Sequence, residues 1–462
     1  MFEVLNQNKM NFRVLIRDLL NKDKTFWSSL IGCALIHWSL GFASTFGNTV
    51  PYIVSYISLK GKQKLRAGMI CWIECFFVLF QGGANYMYPS IERMIGIPSC
   101  LAIGFFSCNF GLLISYLFLE NYLLYLFGYS ILYAIGNGLL FASTIEFLAS
   151  NYSKNSRSKI IGLLWLFRGA SMSIIPSFQS SFVNPFNSSN YYVNSGNKFF
   201  NSLIVLEKVP KLLKLTFIFS AIFQIIGIAN LVITGRRDPR NKEKQEYTSD
   251  KRFNFANRIY ISEPFVLLWL ITFLSWPCIE YIQLFWKVHG MTNTGLGDLQ
   301  LTRVSCIIMI LQTIFRVFWG IFGQLAGYFN CICILSIILV IGIILLMFPI
   351  IEGISIFQYI LGYLLVSIAH SGNLTIFPTT IIKHYCQSNH TELFIYLFSA
   401  KATSCIFFCI FTDFTTRFMN INYSLVPLLI FSLGSFFLSF ILKDIKDNYI
   451  LEKNSKKRYI NI

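Results

Sequence analysis

The sequence has few charged residues: Asp, Glu, Lys and Arg together make up 13% of its 462 residues. A water-soluble domain uses about 25% charged residues to cover its surface. Apolar residues account for 55% of the chain, and the mean hydropathy is +0.59. This balance excludes an ordinary soluble domain and indicates a protein that lies largely within a lipid bilayer.

Spacings that bind metals or build catalytic centres are also missing. The twelve cysteines form no metal-binding or disulfide pattern, so we interpret them as small apolar side chains. The five histidines are scattered along the chain, whereas a membrane-embedded transferase needs a catalytic His or Asp cluster at one membrane face. We therefore predict no cofactor, no metal and no enzymatic activity, and a transferase is the less favoured alternative.

Long apolar runs are abundant. A run of about 18 nearly uncharged residues is long enough to cross a hydrocarbon core of about 30 Å as a helix. Backbone groups in that core must pair internally, which favours helices over strands. Twelve spans can be drawn: Trp27–Tyr56, Ala67–Tyr88, Ser99–Leu119, Tyr122–Ala149, Ile160–Val183, Leu212–Ile233, Pro264–Phe285, Thr302–Ala326, Cys331–Ile350, Ile354–Ile382, Glu392–Thr412 and Tyr423–Leu442.

The net charge of +17 comes from Lys and Arg residues between the spans rather than on one folded face, so we expect no nucleic-acid partner. The most basic stretch separates the sixth and seventh spans, and both ends of the chain are basic. Because Lys/Arg-rich loops stay in the cytoplasm, both termini and this linker are predicted to be cytoplasmic. The basic loop 60–66 is an exception, on the predicted outer side. Plasma and organelle membranes are not distinguished.

The predicted fold is an all-α membrane protein with twelve transmembrane helices in two pseudo-symmetric six-helix bundles. The predicted segments are a cytoplasmic N-terminal tail (1–26), an N-terminal bundle (27–234), a cytoplasmic basic linker (235–258), a C-terminal bundle (259–442) and a cytoplasmic C-terminal tail (443–462). Paired halves of this kind are typical of transporters.

Two basic residues fall inside predicted spans of the second bundle, Arg316 in span eight and Lys401 in span eleven. A charge near the bilayer centre costs at least about 2.5–3.5 kcal/mol, so each needs a partner. One interpretation is an anionic substrate, because Arg binds a carboxylate through two hydrogen bonds and Lys supplies a movable point charge. The structural alternative pairs each residue with Glu280 of span seven or with helix carbonyls.

Further polar residues extend this candidate substrate site. Gln312 lies one helical turn before Arg316 on the same face. Arg168 of span five is a third basic candidate, with a structural ion pair to Glu146 as the alternative. Asn48, near the outer end of span one, either lines a cavity or forms hydrogen bonds between helices.

Three residues are candidates for proton coupling: Glu74 in span two, Glu280 in span seven and His37 in span one. Burial favours the neutral form of a carboxyl group, and imidazole titrates near neutrality. For His37 the alternative is a hydrogen-bonded packing residue. The expected partners are thus the lipid bilayer, a small carboxylate substrate, and either protons or a counter-anion.

Several short segments match a known pattern. They are Gly136-x-Gly138 with the stretch 151–162 and Pro176, Phe182-Val183-Asn184-Pro185, Arg316-Val317-Phe318-Trp319-Gly320, Phe377-Pro378-Thr379, and Ala400-Lys401-Ala402. Together they resemble the major facilitator superfamily, specifically its monocarboxylate and oxalate–formate porter branch. The resemblance implies that the Arg of span eight and the Lys of span eleven coordinate the substrate carboxylate.

The chain departs from that branch in part. Gln312 stands where proton-coupled members carry Asp, and Gln324 replaces the Asp of the inter-span turn. We therefore predict a secondary transporter of a small, monocarboxylate-like organic anion that works by alternating access, with uniport, proton symport and exchange all open. The alternatives are a vitamin acid such as pantothenate or an amino acid, and a zwitterion requires Glu280 or Glu74.

Overall fold

The computed structural model describes residues 24–63, 65–151, 154–194, 196–237, 262–347, 355–381, 383, 390–418 and 421–460. Most of the predicted basic linker and of the predicted N-terminal tail lies outside these residues. The helices before residue 238 are called the N-terminal helices below, and those after residue 261 the C-terminal helices.

The N-terminal helices are joined by short turns and one hairpin. They are α1 (Lys24–Leu40), α2 (Phe46–Leu59), α3 (Ala67–Leu117), α4 (Tyr122–Leu126), α5 (Ala134–Asn151), α6 (Lys154–Val183) and α7 (Leu203–Arg237). A 3₁₀ turn (Ala43–Thr45) joins α1 to α2, and a π-helical segment (Phe127–Tyr133) joins α4 to α5. Strands β1 (Tyr191–Asn194) and β2 (Asn197–Phe200) pair antiparallel between α6 and α7.

The C-terminal helices are α8 (Glu263–Asn293), α9 (Asp298–Ala326), α10 (Tyr328–Met347), α11 (Ile356–Thr380), α12 (His390–Phe418) and α13 (Leu425–Ile460). A 3₁₀ turn (Ile421–Ser424) precedes α13. Two helices extend beyond the predicted ends of their spans. Helix α8 continues eight residues beyond Phe285, and α13 continues past Leu442 through most of the predicted tail, because the Lys- and Glu-containing sequence there also favours helix.

Ten helical stretches of the described residues are long and apolar enough to cross a membrane. One of them, Gly68–Leu117, has 50 residues. At about 1.5 Å per residue it is more than twice the length that one crossing needs. It is broken at Gly96, whose φ of 78° suits glycine. This stretch is therefore long enough to cross twice, which makes eleven candidate crossings in the described part of the chain, close to the predicted twelve. The chain is a multi-pass helical membrane protein, and the predicted fold class is confirmed.

The β1–β2 hairpin marks one end of the helices, called the hairpin side below; the opposite end, where α7 leads into residues 238–261, is the linker side. The backbone N–H of Phe200 donates to Ser55 Oγ at 2.9 Å, and the N–H of Lys198 donates to Thr292 Oγ1 at 3.1 Å. The hairpin thus contacts α2 and α8 at once. Arg66, in the basic loop 60–66, adds an ion pair with Asp413 of α12 at 3.5 Å.

Small residues allow the N- and C-terminal helices to pack closely on the hairpin side. A Cβ atom at Gly47 of α2 would lie 2.1 Å from the backbone oxygen of Gln283 in α8, so only glycine fits there. Gly136 similarly places α5 against the backbone of Cys108 in α3, where an added Cβ would meet its nitrogen at 2.2 Å. Glycine at these two positions thus permits the close approach of neighbouring helices.

Candidate functional site

Arg316 lies in the middle of α9 and faces α6. Its Cζ atom is 5.4 Å from the centroid of the Trp165 ring, a cation–π contact. The Nε and Nη1 atoms are buried and have no hydrogen-bond partner within the described residues. A buried donor that lacks a partner is costly, and a charged one more so. An anion bound here would remove that cost.

Arg168 of α6 also lies close to the Trp165 indole. Its Cζ atom is 5.7 Å from the Trp165 ring, and its side chain is close enough to Arg316 for the two charges to repel each other. The residue is only 8% exposed, and Nη2 donates to Ser44 Oγ at 3.3 Å. Glu146, the predicted alternative partner, is exposed and is not among the described contacts of Arg168. One guanidinium from each set of helices thus lies close to Trp165, and neither forms an ion pair within the described residues.

Lys401 of α12 has a different environment. Its Nζ atom forms an ion pair with Glu280 Oε1 of α8 at 2.7 Å and lies 4.6 Å from the centroid of the Trp276 ring. The Trp276 Nε1–H donates to the same carboxylate oxygen at 2.8 Å. This ion pair is the contact that the structural alternative predicted for Lys401. The pair is still accessible, with 13% and 17% of the two side chains exposed.

Glu74, His370 and Gln312 connect the region of Arg168 and Arg316 with the Lys401–Glu280 pair. Glu74 of α3 is close enough to Glu280 and Lys401 to interact with both electrostatically, and it forms no hydrogen bond within the described residues. Gln312 Nε2 and His370 Nδ1 lie 3.0 Å apart, and His370 is within electrostatic range of Arg316, Glu280 and Lys401. His370 was not among the predicted site residues, although it lies in a predicted span as His37 does. The five ionisable residues of this region are called the charged cluster: Arg168, Arg316, Lys401, Glu74 and Glu280.

His37 lies away from the two carboxylates of the charged cluster. It is fully buried, its Nε2 atom lies 2.9 Å from Thr144 Oγ1, and its ring packs 5.5 Å from that of Phe141. Within the described residues it contacts no Asp or Glu. These contacts fit the alternative of a hydrogen-bonded packing residue.

A second polar site lies nearer the hairpin side and was not predicted. Lys287 of α8 and Asp298 of α9 form an ion pair of 2.5 Å, and both side chains are 0% exposed. Lys287 Nζ also donates to Asn48 Oδ1 at 2.9 Å, to the Tyr52 hydroxyl at 2.8 Å and to Ser180 Oγ at 2.8 Å. We call these five residues the closing network, because they bind α2 and α6 to α8 and α9.

Asn48 belongs to this network rather than to the charged cluster. Its Nδ2 group donates to Gln179 Oε1 at 3.0 Å, and the residue is buried. Its amide is thus occupied by protein partners, which agrees with the interhelical alternative and leaves no free group for a substrate. The Tyr52 hydroxyl donates to Asp298 Oδ2 at 2.6 Å. Nearby, in the hairpin, burial and the Asp298 carboxylate raise the pKa of Tyr191 to about 12.

No family model matches the chain. The chain is 22% identical over 329 residues to apicoplast pyruvate carrier 2 of Toxoplasma gondii. The match covers 56% of this chain and 50% of that protein, so it spans about half the length of the curated relative.

Solved transporter structures match over most of the chain. The nucleoside transporter NupG has a TM-score of 0.64 at 10% identity, covering 89% of this chain and 99% of that one. A D-xylose–proton symporter has a TM-score of 0.66 at 12% identity, covering 89% and 96%. The xylose transporter XylE of E. coli, in a partially occluded inward-open conformation, has a TM-score of 0.63 at 10% identity, covering 90% and 99%.

All of these proteins are transporters by name, in agreement with the prediction of a transporter rather than an enzyme. Identities this low carry information on the fold alone, and the monocarboxylate branch stays a prediction. The chain has the fold of the major facilitator transporters.

Proposed function

We propose that the chain is a secondary transporter that binds a small monocarboxylate between its N- and C-terminal helices and carries it by alternating access. The observation that carries this proposal is Arg316, whose guanidinium has two buried nitrogens without partners in the described residues. The partial match to a protein named as a pyruvate carrier supports the same substrate class.

The position of the two arginines supports a link between binding and movement. A carboxylate can accept two parallel hydrogen bonds from one guanidinium. Bound between Arg168 of α6 and Arg316 of α9, it would replace a repulsion between N- and C-terminal helices with an attraction to both. Substrate binding would therefore draw α6 and α9 together at the cluster.

The contacts between α6 and α9 favour access from the linker side. The hydroxyls of Ser180 and Thr302 lie 2.9 Å apart. Further towards the linker side, Ser177 Oγ and Cys306 Sγ lie 3.2 Å apart. The charged cluster lies at the linker-side end of this series. If the basic linker is cytoplasmic, as the distribution of Lys and Arg predicts, this arrangement is the inward-facing one.

Uptake of labelled pyruvate, pantothenate, amino acids and xylose by proteoliposomes, with and without a pH gradient, tests the proposal. The wild-type protein is expected to take up pyruvate, and Arg316→Gln is expected to abolish uptake. Arg303→Gln is the matched control, because Arg303 lies on the exposed face of the same helix. Transport of xylose without any carboxylate, or normal pyruvate uptake by Arg316→Gln, would contradict the proposal.

An amino acid is the second candidate substrate. Glu74 favours it, because this carboxylate has no hydrogen bond in the described residues and could accept one from an ammonium group while Arg316 binds the carboxylate. In that case Glu74→Gln would abolish amino-acid uptake. Retention of amino-acid uptake by Glu74→Gln would exclude this role for the residue.

A further inference from the structure

The charged cluster contains three positive and two negative side chains. Within the described residues, no other Asp, Glu, Lys or Arg forms an ion pair with any of the five. With His370 neutral, the empty cluster holds more positive than negative charge, whether Glu74 is ionised or protonated. Unbalanced charge in a membrane interior is costly, so the charge that a bound substrate brings is restricted.

The two acids of the cluster are not equivalent. Glu280 accepts hydrogen bonds from both Lys401 and Trp276, at 2.7 Å and 2.8 Å. Glu74 has no such bond in the described part of the chain. To release Lys401 for a substrate, Glu280 would have to give up its ion pair, and Trp276 holds the carboxylate in place.

The positions of Glu280 and Lys401 in the fold determine whether their ion pair can persist during transport. Glu280 and Trp276 lie on α8 and Lys401 lies on α12, so all three belong to the C-terminal helices. A movement of the N-terminal helices against the C-terminal helices can leave the pair intact. Lys401 is then neutralised throughout the transport cycle, whereas Arg316 is not.

We propose that Glu280 determines the charge of the substrate: by holding Lys401, it restricts the site to anions with one negative charge and rejects dicarboxylates. This inference rests on the proposed function, because it assumes that a carboxylate binds at Arg316. Since the first carboxylate engages both Arg168 and Arg316, the second carboxylate of a dicarboxylate would need a further free cation, and Glu280 holds Lys401, the remaining cation of the charged cluster.

The experiment compares uptake of pyruvate with that of malonate, a dicarboxylate of similar size, by proteoliposomes. The wild-type protein is expected to prefer pyruvate. Glu280→Gln keeps an acceptor for Trp276 but frees Lys401, so the ratio of kcat/KM for malonate to that for pyruvate should rise by about tenfold or more. The double variant Glu280→Gln/Lys401→Gln restores the original net charge and should return the ratio toward the wild-type value.

The possible outcomes distinguish a failure of the proposed function from a failure of the proposed role of Glu280. If the wild-type protein takes up no carboxylate, the proposed function fails. If it takes up pyruvate and Glu280→Gln leaves the ratio unchanged, or if the wild-type protein transports malonate as well as pyruvate, only the role of Glu280 fails. Should Glu280→Gln not fold, Glu280→Asp replaces it: its shorter side chain weakens the contact with Lys401, so the ratio should again rise, and an unchanged ratio would contradict the role of Glu280.

Discussion

At the scale of single residues, two basic side chains within the membrane spans have opposite surroundings. Lys401 has a resident carboxylate, and Arg316 has only the face of Trp165 and two unbonded nitrogens in the described residues. Removing either charge from water is costly, but of the two only Arg316 lacks a compensating carboxylate within the described residues. This difference is the basis of the proposals that Arg316 binds the substrate and that the Glu280–Lys401 pair limits its charge.

Replacing Arg316 is expected to stabilise the empty protein. Arg316→Met removes a buried charge without a partner and its repulsion from Arg168, which favours folding by about 1 kcal/mol or more. The Tm of the purified protein should rise by about 1–3 °C while uptake is lost. Thermal unfolding in detergent measures this, with Arg303→Met as the control that should change neither property. A lower Tm for Arg316→Met would mean that the guanidinium has a partner in the folded protein.

The sequence predicted part of this site at residue scale. Arg316 and Lys401 stand out because charge is rare inside an apolar span, and Glu280 was already the alternative partner of Lys401. Whether Lys401 binds a substrate or pairs with Glu280 depends on which faces of α8 and α12 meet. Hydropathy does not encode this contact. Lys287 and Asp298 were missed for another reason: each stood beyond the predicted end of a span, where a charge is expected to be solvated.

At the scale of helices, the closing network is a contact between four elements that centres on one ion pair. Lys287 reaches α2 and α6 from α8, and Asp298 begins α9. The two charges have no exposure to water, so each depends on the other. Helices α2, α6, α8 and α9 are thus joined where the sequence alone suggested only helix ends and a short turn.

Breaking this pair on one side is expected to be more harmful than removing both charges. Asp298→Asn leaves Lys287 buried without a counter-charge and should lower the free energy of unfolding by about 3–5 kcal/mol. The double variant Lys287→Met/Asp298→Leu should recover most of that loss, because no buried charge remains. Thermal unfolding of the purified variants compares them. Glu263→Gln, an exposed change on α8, is the control, and equal Tm values for the single and double variants would contradict the prediction.

At the scale of the whole molecule, the N- and C-terminal helices contact each other through the closing network, the hairpin and the close approach of α2 to α8 at Gly47. All three lie on the hairpin side of the charged cluster. The all-helical membrane fold that unites them could be predicted from the sequence, because the length and hydropathy of the runs suffice for it. Which side of the molecule is closed could not be predicted from the sequence, because it depends on contacts between residues far apart in the chain.

A larger side chain at Gly47 should hold the hairpin side open. Gly47→Val places a Cβ where the backbone oxygen of Gln283 would be only 2.1 Å away, so α2 must separate from α8. We expect slower pyruvate uptake and increased labelling of Cys306 by a membrane-impermeant maleimide applied from the hairpin side. Gly83→Val is the control, because nothing lies within 4 Å of a Cβ at that position. Unchanged labelling in Gly47→Val would argue against closure at this contact.

The β1–β2 hairpin has a practical consequence. Because its strands are bonded to Ser55 on one set of helices and to Thr292 on the other, each turnover of an alternating-access carrier must detach it from one of these anchors. An antibody fragment that clamps the hairpin onto both anchors would therefore arrest the carrier from the outside, without competing for the binding pocket and whatever the cargo proves to be.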